Sequence, residues 1–250
     1  MTKFFVHGNP ETSHIWDSLI EAITERGVGD VTAISPPGFG CPLPEGFEPN
    51  QLGYRQWLID RLEAAGGGVD LVGHDWGAGH VYGVLAERPD LVRSWAADCA
   101  GLIHPDYTWH DAAQAWQTPD VGEEVIKAML SAPEVERKNG LMELGIPEAV
   151  AMEMARAQNE TMGRCILELY RSASEAKMSQ LGERLGQLDL PPGLVLIATE
   201  DHYAGTRAMH ESVAQSLGAG TLVMEGLGHW WMFSGREQAA DALIEFWLAS

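Results

Sequence analysis

Cysteine, basic residues and long apolar runs are all scarce in this chain. Its three cysteines, Cys41, Cys99 and Cys165, are far apart and show no Cys-x-x-Cys or Cys/His ligand spacing, which excludes a disulfide framework and the common structural zinc sites. A reduced, cytoplasmic location is the expectation. Lysine and arginine number 16 against 36 acidic residues, a formal net charge of -20. Phosphate backbones and anionic membrane surfaces would repel such a chain, so neither nucleic acid nor membrane is expected as a partner. The acidic residues are scattered and form no tail, as on a solvated surface. No segment approaches the roughly 18 apolar residues of a membrane span. The opening MTKFFVHGNPETS offers only the short run FFV, too little for an export signal.

What is present is a chain of 250 residues, 45% hydrophobic and 21% charged, able to bury a substantial core. Strand-like runs occur at 3–7, 31–35, 69–73, 93–98, 194–199 and 220–225, and amphipathic helical patterns at 15–26, 51–65 and 78–89. Strands alternating with helices imply βαβ units and a mostly parallel sheet covered on both faces, an α/β fold. Between about Leu102 and Leu188 the alternation stops, and only helical stretches such as 123–130 and 147–173 appear. Strand pattern returns after Asp189-Leu190-Pro191-Pro192. The expected organisation is an α/β core over 1–101 and 189–250 with a helical cap at 102–188. Met142, Met152, Met154, Met162 and Met178 give the cap either a flexible apolar lining or ordinary helix cores.

The most informative stretch is Val69-Asp70-Leu71-Val72-Gly73-His74-Asp75-Trp76-Gly77. A strand runs through Gly-x-Asp-x-Gly into a helix, the nucleophile-elbow pattern with aspartate where an esterase has serine. The glycines allow a sharp turn that projects the central side chain at a helix N-terminus, where N–H groups favour negative charge. The alternative is a helix-capping aspartate in a tight turn. A carboxylate is already ionised at neutral pH. It displaces amines or alkoxides from carbonyls poorly, but it opens a strained or halogen-bearing carbon by SN2 attack to leave an ester. Breaking that ester needs an activated water, hence a histidine with an orienting acid.

Those partners follow in the chain order nucleophile, acid, histidine. Glu200-Asp201-His202 ends one strand run, and Gly226-Leu227-Gly228-His229-Trp230 ends the next. His229 is the expected base, with Asp201 preferred as its acid over Glu200 and Asp98. The first strand ends in His7-Gly8-Asn9-Pro10. Backbone amides of Asn9 and Trp76 can form an oxyanion hole, and their side chains, an amide and an indole N–H, can hold a leaving anion such as halide. Turn formation by Asn9 and plain packing of Trp76 are the alternatives.

HGNP, the GHDWG elbow, a helical cap, the later aspartate and GLGHW together resemble the haloalkane dehalogenase and epoxide hydrolase branch of the α/β-hydrolase superfamily. The resemblance covers most of the chain. It implies the α/β-hydrolase fold, an aspartate nucleophile (Asp75), a base and acid (His229 and Asp201) and a halide site at Asn9 and Trp76. Within the branch, HGNP and the Asn9/Trp76 pair are similar to one dehalogenase subgroup, and 114–122 looks like a dehalogenase cap helix that puts Trp116 near the pocket. Epoxide hydrolases use two cap tyrosines to protonate the opening oxygen. Tyr170 resembles one of them, no tyrosine lies at 112–116 for the other, and Tyr107 is near enough to be considered. The expected substrate is a small apolar molecule, an alkyl halide or alternatively an epoxide, and the chemistry requires neither metal nor organic cofactor.

The family has two further strands ahead of its His-Gly strand. The sheet is therefore expected to have about six strands and an edge that needs cover. A homodimer would supply it, and a truncation of a longer chain accounts for the edge equally well. His104, Asp106, His110 and Asp111 match no metal motif and read as a surface loop of the cap. Cys41, in PGFGCPLP, has no evident activating neighbour. A scaffold that has lost catalysis and serves only to bind is the reading from another class.

Overall fold

The computed structural model describes all 250 residues. Six parallel strands form one sheet in the order β2-β1-β3-β4-β5-β6: β1 Lys3–Val6, β2 Val31–Ile34, β3 Val69–Gly73, β4 Val92–Ala97, β5 Gly193–Ala198 and β6 Gly220–Met224. Each lies within a residue of its expected run, because every run is a short apolar segment bounded by turn residues. Alternate residues serve opposite faces. Phe4, Val6 and Leu71 join one apolar cluster, whereas Phe5, Val72 and Ala96 join a second. Helix α1 (Asp17–Glu25) closes the second face together with the C-terminal helix, and α2 (Gln51–Ala64) and α3 (Trp76–Glu87) close the first.

Between β4 and β5 come six helices: α4 Asp111–Gln117, α5 Val121–Ser131, α6 Glu134–Glu143, α7 Glu148–Ala157, α8 Glu160–Ser172 and α9 Glu175–Leu185. The helical stretch at 147–173 is in fact two helices. Asn159 is extended at φ -144°, and its side chain accepts from the Met162 amide at 3.0 Å, so it starts α8 as an N-cap. The 114–122 stretch likewise breaks, with Asp120 at φ 66° between α4 and α5. These helices bury their apolar faces in the same two clusters as the sheet: Ala113, Ile126 and Met162 in one, Leu141 and Met154 in the other. After β5 follow α10 (Arg207–Ser216), a single turn α11 (Trp231–Ser234) and α12 (Arg236–Ala249). No helix is long and apolar enough to cross a membrane.

All six strands run the same way, so their carboxyl ends gather at one edge. There the loops after β1, β3, β4, β5 and β6 meet beneath α4 and α8, which is where an open α/β sheet builds its site.

Candidate active site

Asp75 sits between β3 and α3 with φ 51° and ψ -122°, a conformation that costs a non-glycine residue roughly 1–3 kcal/mol. The flanking glycines are required by close approach. A Cβ on Gly73 would lie 2.8 Å from the Ala78 backbone, and one on Gly77 only 2.1 Å from the Val6 carbonyl oxygen. Gly8 is equally constrained, since a Cβ there would fall 2.2 Å from Asp75 Oδ2. That closeness lets the Asn9 amide donate to Asp75 Oδ2 at 2.8 Å. Burial pushes the Asp75 carboxyl up to about 6, although the neighbouring His229 pulls the other way.

His229, after β6, donates from Nδ1 to Asp201 Oδ2 at 2.8 Å, and both side chains are almost wholly buried. Asp201 also accepts from the Tyr203 amide at 2.8 Å, and it is held down to about 2 despite burial, with His229 the chief cause. The charge of Asp201 in turn raises His229 above its ordinary value against the effect of burial. With Nδ1 engaged, Nε2 is the free nitrogen of a residue that lines the same cavity as Asp75. Glu200 points outward, its nearest charged neighbour His202 at 3.9 Å.

Asp98 is committed elsewhere. Its carboxylate accepts from His74 Nδ1 at 2.5 Å, Trp231 Nε1 at 2.6 Å and the Asp75 amide at 3.0 Å. On its other side His74 Nε2 meets Glu11 Oε1 at 3.1 Å, and Glu11 also accepts from Trp230 Nε1 at 2.6 Å and the Gly8 amide at 2.8 Å. His74, flanked by two carboxylates, is raised well above its ordinary pKa, and Glu11 is lowered to about 2 by that imidazolium. Glu11, His74 and Asp98 therefore form a buried charged row under the elbow, tied to Gly8 and Asp75 on either side. Sequence reading missed it; the only signal was a histidine inside the elbow and a glutamate just past HGNP.

Asn9 Nδ2 and Oδ1 and Trp76 Nε1 are buried without hydrogen-bond partners, a costly state for polar atoms unless a ligand satisfies them. The indole of Trp76 is fixed between Trp109 (centroids 5.7 Å apart, 24°) and His80 (6.0 Å, 30°), and His80 stacks in turn on Tyr54 at 5.0 Å. Burial lowers His80 to about 3, so this column stays neutral. Tyr170 packs edge-on to Trp76 at 5.4 Å, with its hydroxyl facing the side chains of Asn9 and Trp76.

Asn9, Asp75, Tyr170 and His229 share a cavity of about 190 Å³ lined by Asn9, Pro10, Asp75, His110, Ala112, Trp116, Leu144, Tyr170, Tyr203, His229 and Trp230; Trp76, 1% exposed, is not among the lining residues. Trp116 and Tyr170 are among them. Tyr107 is not: it is buried, and its hydroxyl donates to the Tyr203 carbonyl at 2.7 Å. None of the five methionines reaches the cavity either; Met154, Met162 and Met178 are wholly buried in the cores. His110, expected on a surface loop, instead faces the cavity, because it caps α4 over the site. His104 does stay local, accepting from the Asp106 amide.

Three clusters of potential metal ligands adjoin the site: Glu11/His74/His229, His74/Asp98/Cys99 and Cys99/Asp201/His229. Both nitrogens of His74 are already spent on carboxylates, which leaves the first two without a free imidazole lone pair there. In the third, Cys99 Sγ lies 3.9 Å from Asp201 Oδ2, and Asp201 and His229 Nδ1 are already bonded to each other at 2.8 Å.

A parallel sheet with an aspartate at a strand-to-helix elbow, and a histidine and acid on later loops, defines a class. The alpha/beta hydrolase family profile matches residues 4–245, and the chain belongs to that family. It is similar to a haloalkane dehalogenase of Bradyrhizobium diazoefficiens, 32% identical over 108 residues, or 43% of this chain and 34% of the relative. A haloalkane dehalogenase of Mesorhizobium japonicum is 30% identical over 139 residues, 50% and 42% of the two chains, and an epoxide hydrolase of Caballeronia sordidicola is 31% identical over 100 residues, 36% and 28%. The matched stretch thus spans less than half the length of each relative. Among solved structures, a haloalkane dehalogenase from Bradyrhizobium elkanii superposes with a TM-score of 0.74 over 99% of this chain and 90% of its own, at 21% identity. A bromoperoxidase from Bacillus anthracis gives 0.73 over 98% and 91%, at 14% identity. At such identities the likeness is one of fold.

Proposed function

We propose that this protein is a hydrolase of small alkyl halides that works through a covalent ester on Asp75. The observation that carries the reading is the pair of buried, unpartnered N–H donors, Asn9 Nδ2 and Trp76 Nε1, beside a carboxylate on a strained elbow. Asp75 Oδ2 is held by the Asn9 amide, leaving Oδ1 to attack carbon. As the O–C bond forms, the C–X bond breaks and halide leaves with its electron pair towards Asn9 and Trp76. His229 Nε2 then takes a proton from water, whose oxygen adds to the ester carbonyl, and the alcohol departs with that proton. Asp201 orients His229 and balances its imidazolium. The helices between β4 and β5 act as a cap that keeps bulk water from the ester.

A second reading, epoxide opening, is favoured by Tyr170, whose hydroxyl faces the same donors and could protonate a leaving oxygen. His229→Phe separates the two by stalling the second step: the variant is incubated with a bromoalkane and, separately, with an aryl epoxide, and Asp75 is inspected by peptide mass spectrometry. An alkyl adduct with stoichiometric bromide is expected. A hydroxyalkyl adduct from the epoxide alone would transfer the assignment to epoxide hydrolysis, and no adduct from either would remove Asp75 as nucleophile.

A further inference from the structure

Of the residues assigned to halide and to attack, Asn9 and Asp75 line the cavity, and its remaining wall is not uniformly apolar. His110 stands at the N-cap of α4, where its Nδ1 accepts the Ala113 amide at 3.3 Å. Accepting that bond places a lone pair on Nδ1 and so fixes the neutral ring proton on Nε2. Burial and the nearby His229 keep His110 below its ordinary pKa, in this neutral form at physiological pH. No protein group bonds Nε2. Beside it, 5.2 Å between ring centroids, is Tyr203, which in turn lies 5.1 Å from His229. Tyr203 lines the same cavity at its exposed rim, 39% accessible, and its hydroxyl has no protein partner.

With the leaving group directed at Asn9 and Trp76, the substrate's chain occupies the rest of the cavity, where His110 and Tyr203 are the polar groups among Pro10, Ala112, Trp116, Leu144 and Trp230. We infer that this wall is an oxygen-accepting subsite, in which His110 Nε2–H, seconded by the Tyr203 hydroxyl, donates to an ether or hydroxyl oxygen on the substrate chain. The favoured substrates are then oxygen-bearing alkyl halides rather than plain ones. This rests on Asp75 being the nucleophile, since that choice sets which end of the substrate faces Asn9. A purely apolar chain would cover the part-exposed ring N–H and leave it unpaired, and a pocket lined by such a donor discriminates against a ligand that desolvates it without satisfying it.

The test compares 1-bromo-2-methoxyethane with 1-bromobutane, and 1-bromo-3-methoxypropane with 1-bromopentane, pairs in which CH2 replaces O. The readout is the ratio of kcat/KM within each pair, in the native protein and in His110→Phe and His110→Ser. Intrinsic reactivity cancels when these ratios are compared between proteins. Serine keeps an N-cap acceptor for Ala113 while removing the ring N–H, so a loss common to both variants is not a loss of the cap. The ether preference is expected to fall about 10-fold in both variants for at least one pair, mainly through KM. An unchanged ratio in both pairs would overturn the inference. Independently, long-range 1H–15N spectra should show His110 Nε2 shifting on titration with unreactive diethyl ether and not with its oxygen-free isostere pentane at equal concentration; equal shifts, or none, would also overturn it. Absence of bromide release from every substrate would count against Asp75 instead, and the spectra would still decide the subsite.

Discussion

The two ends of the sheet both bury charge, and they do it with different chemistry. At the amino ends of the strands Asp70, wholly buried, is met by the Arg93 guanidinium at 2.7 Å, the Ser94 hydroxyl at 2.6 Å and Lys3 Nζ at 3.6 Å. Permanent cations satisfy that carboxylate across the working pH range. At the carboxyl ends, Glu11, Asp75, Asp98 and Asp201 are met by His74 and His229, by indole N–H groups and by backbone amides, with no lysine or arginine among their partners. One end is wired for a fixed charge state. The other is built from groups whose charge can change during a reaction.

The comparison predicts that substitutions at the two ends fail differently. Asp201→Asn retains an acceptor for His229 but cannot balance its imidazolium, so steady-state turnover should fall by about 10³–10⁴-fold while the first, ester-forming step survives. Rapid-quench detection of an undiminished alkyl burst checks this; loss of the burst together with turnover would place Asp201 in the first step instead. Asp70→Ala removes the shared partner of the buried Lys3 and the partly exposed Arg93 and should cost about 3 kcal/mol of stability, the low end for a buried pair, read as a lower denaturant midpoint. Per folded molecule its turnover should be unchanged. A large kinetic defect there would erase the distinction between the ends.

Much of this division was legible in the sequence, and what was not has a common cause. The strands, the elbow and the two later loops are local signals: apolar runs, glycines at plus and minus two, a histidine after a strand. The charged row is not local, since residues 11, 74, 98 and 230 meet only when four chain segments converge. Asp98 therefore read as a competing acid for His229 although it serves His74. His110 read as part of a surface loop because nothing in HPDYTWHD shows that the helix it caps roofs a cavity. The break at Asn159 was concealed by apolar periodicity on both sides, though an asparagine with an open capping position is a recognised start signal.

A smaller effect is expected at the donors proposed to hold the halide. Trp76→Phe keeps the ring in its stack between Trp109 and His80 but removes the N–H. A hydrogen bond to a charged group contributes about 1.5–3 kcal/mol, so dehalogenation should slow roughly 10- to 100-fold. Chloride, the poorer leaving group, should suffer more than bromide. Equal losses for both would indicate that Trp76 only packs.

The mildest probe of the reactive end is pH, which alters no atom of the protein except protons. On the proposed mechanism Asp75 attacks only as a carboxylate, and with burial raising its pKa to about 6, ester formation should be lost as pH falls through that value. His229 accepts a proton only when neutral, and its pKa is raised by Asp201 above the ordinary 6.5, so ester breakdown should be lost at a higher pH than ester formation. Between the two lies a window in which Asp75 is ionised and His229 is still protonated. In that window the native protein should release a burst of about one equivalent of halide and then slow, with the alkyl ester accumulating on Asp75, whereas above it halide release should be linear. Quenching at a series of pH values and weighing the protein reads the ester directly. If the ester never accumulates at any pH, either the second step does not depend on His229 or the two groups titrate as one unit, and the separation of roles at this end of the sheet would fail.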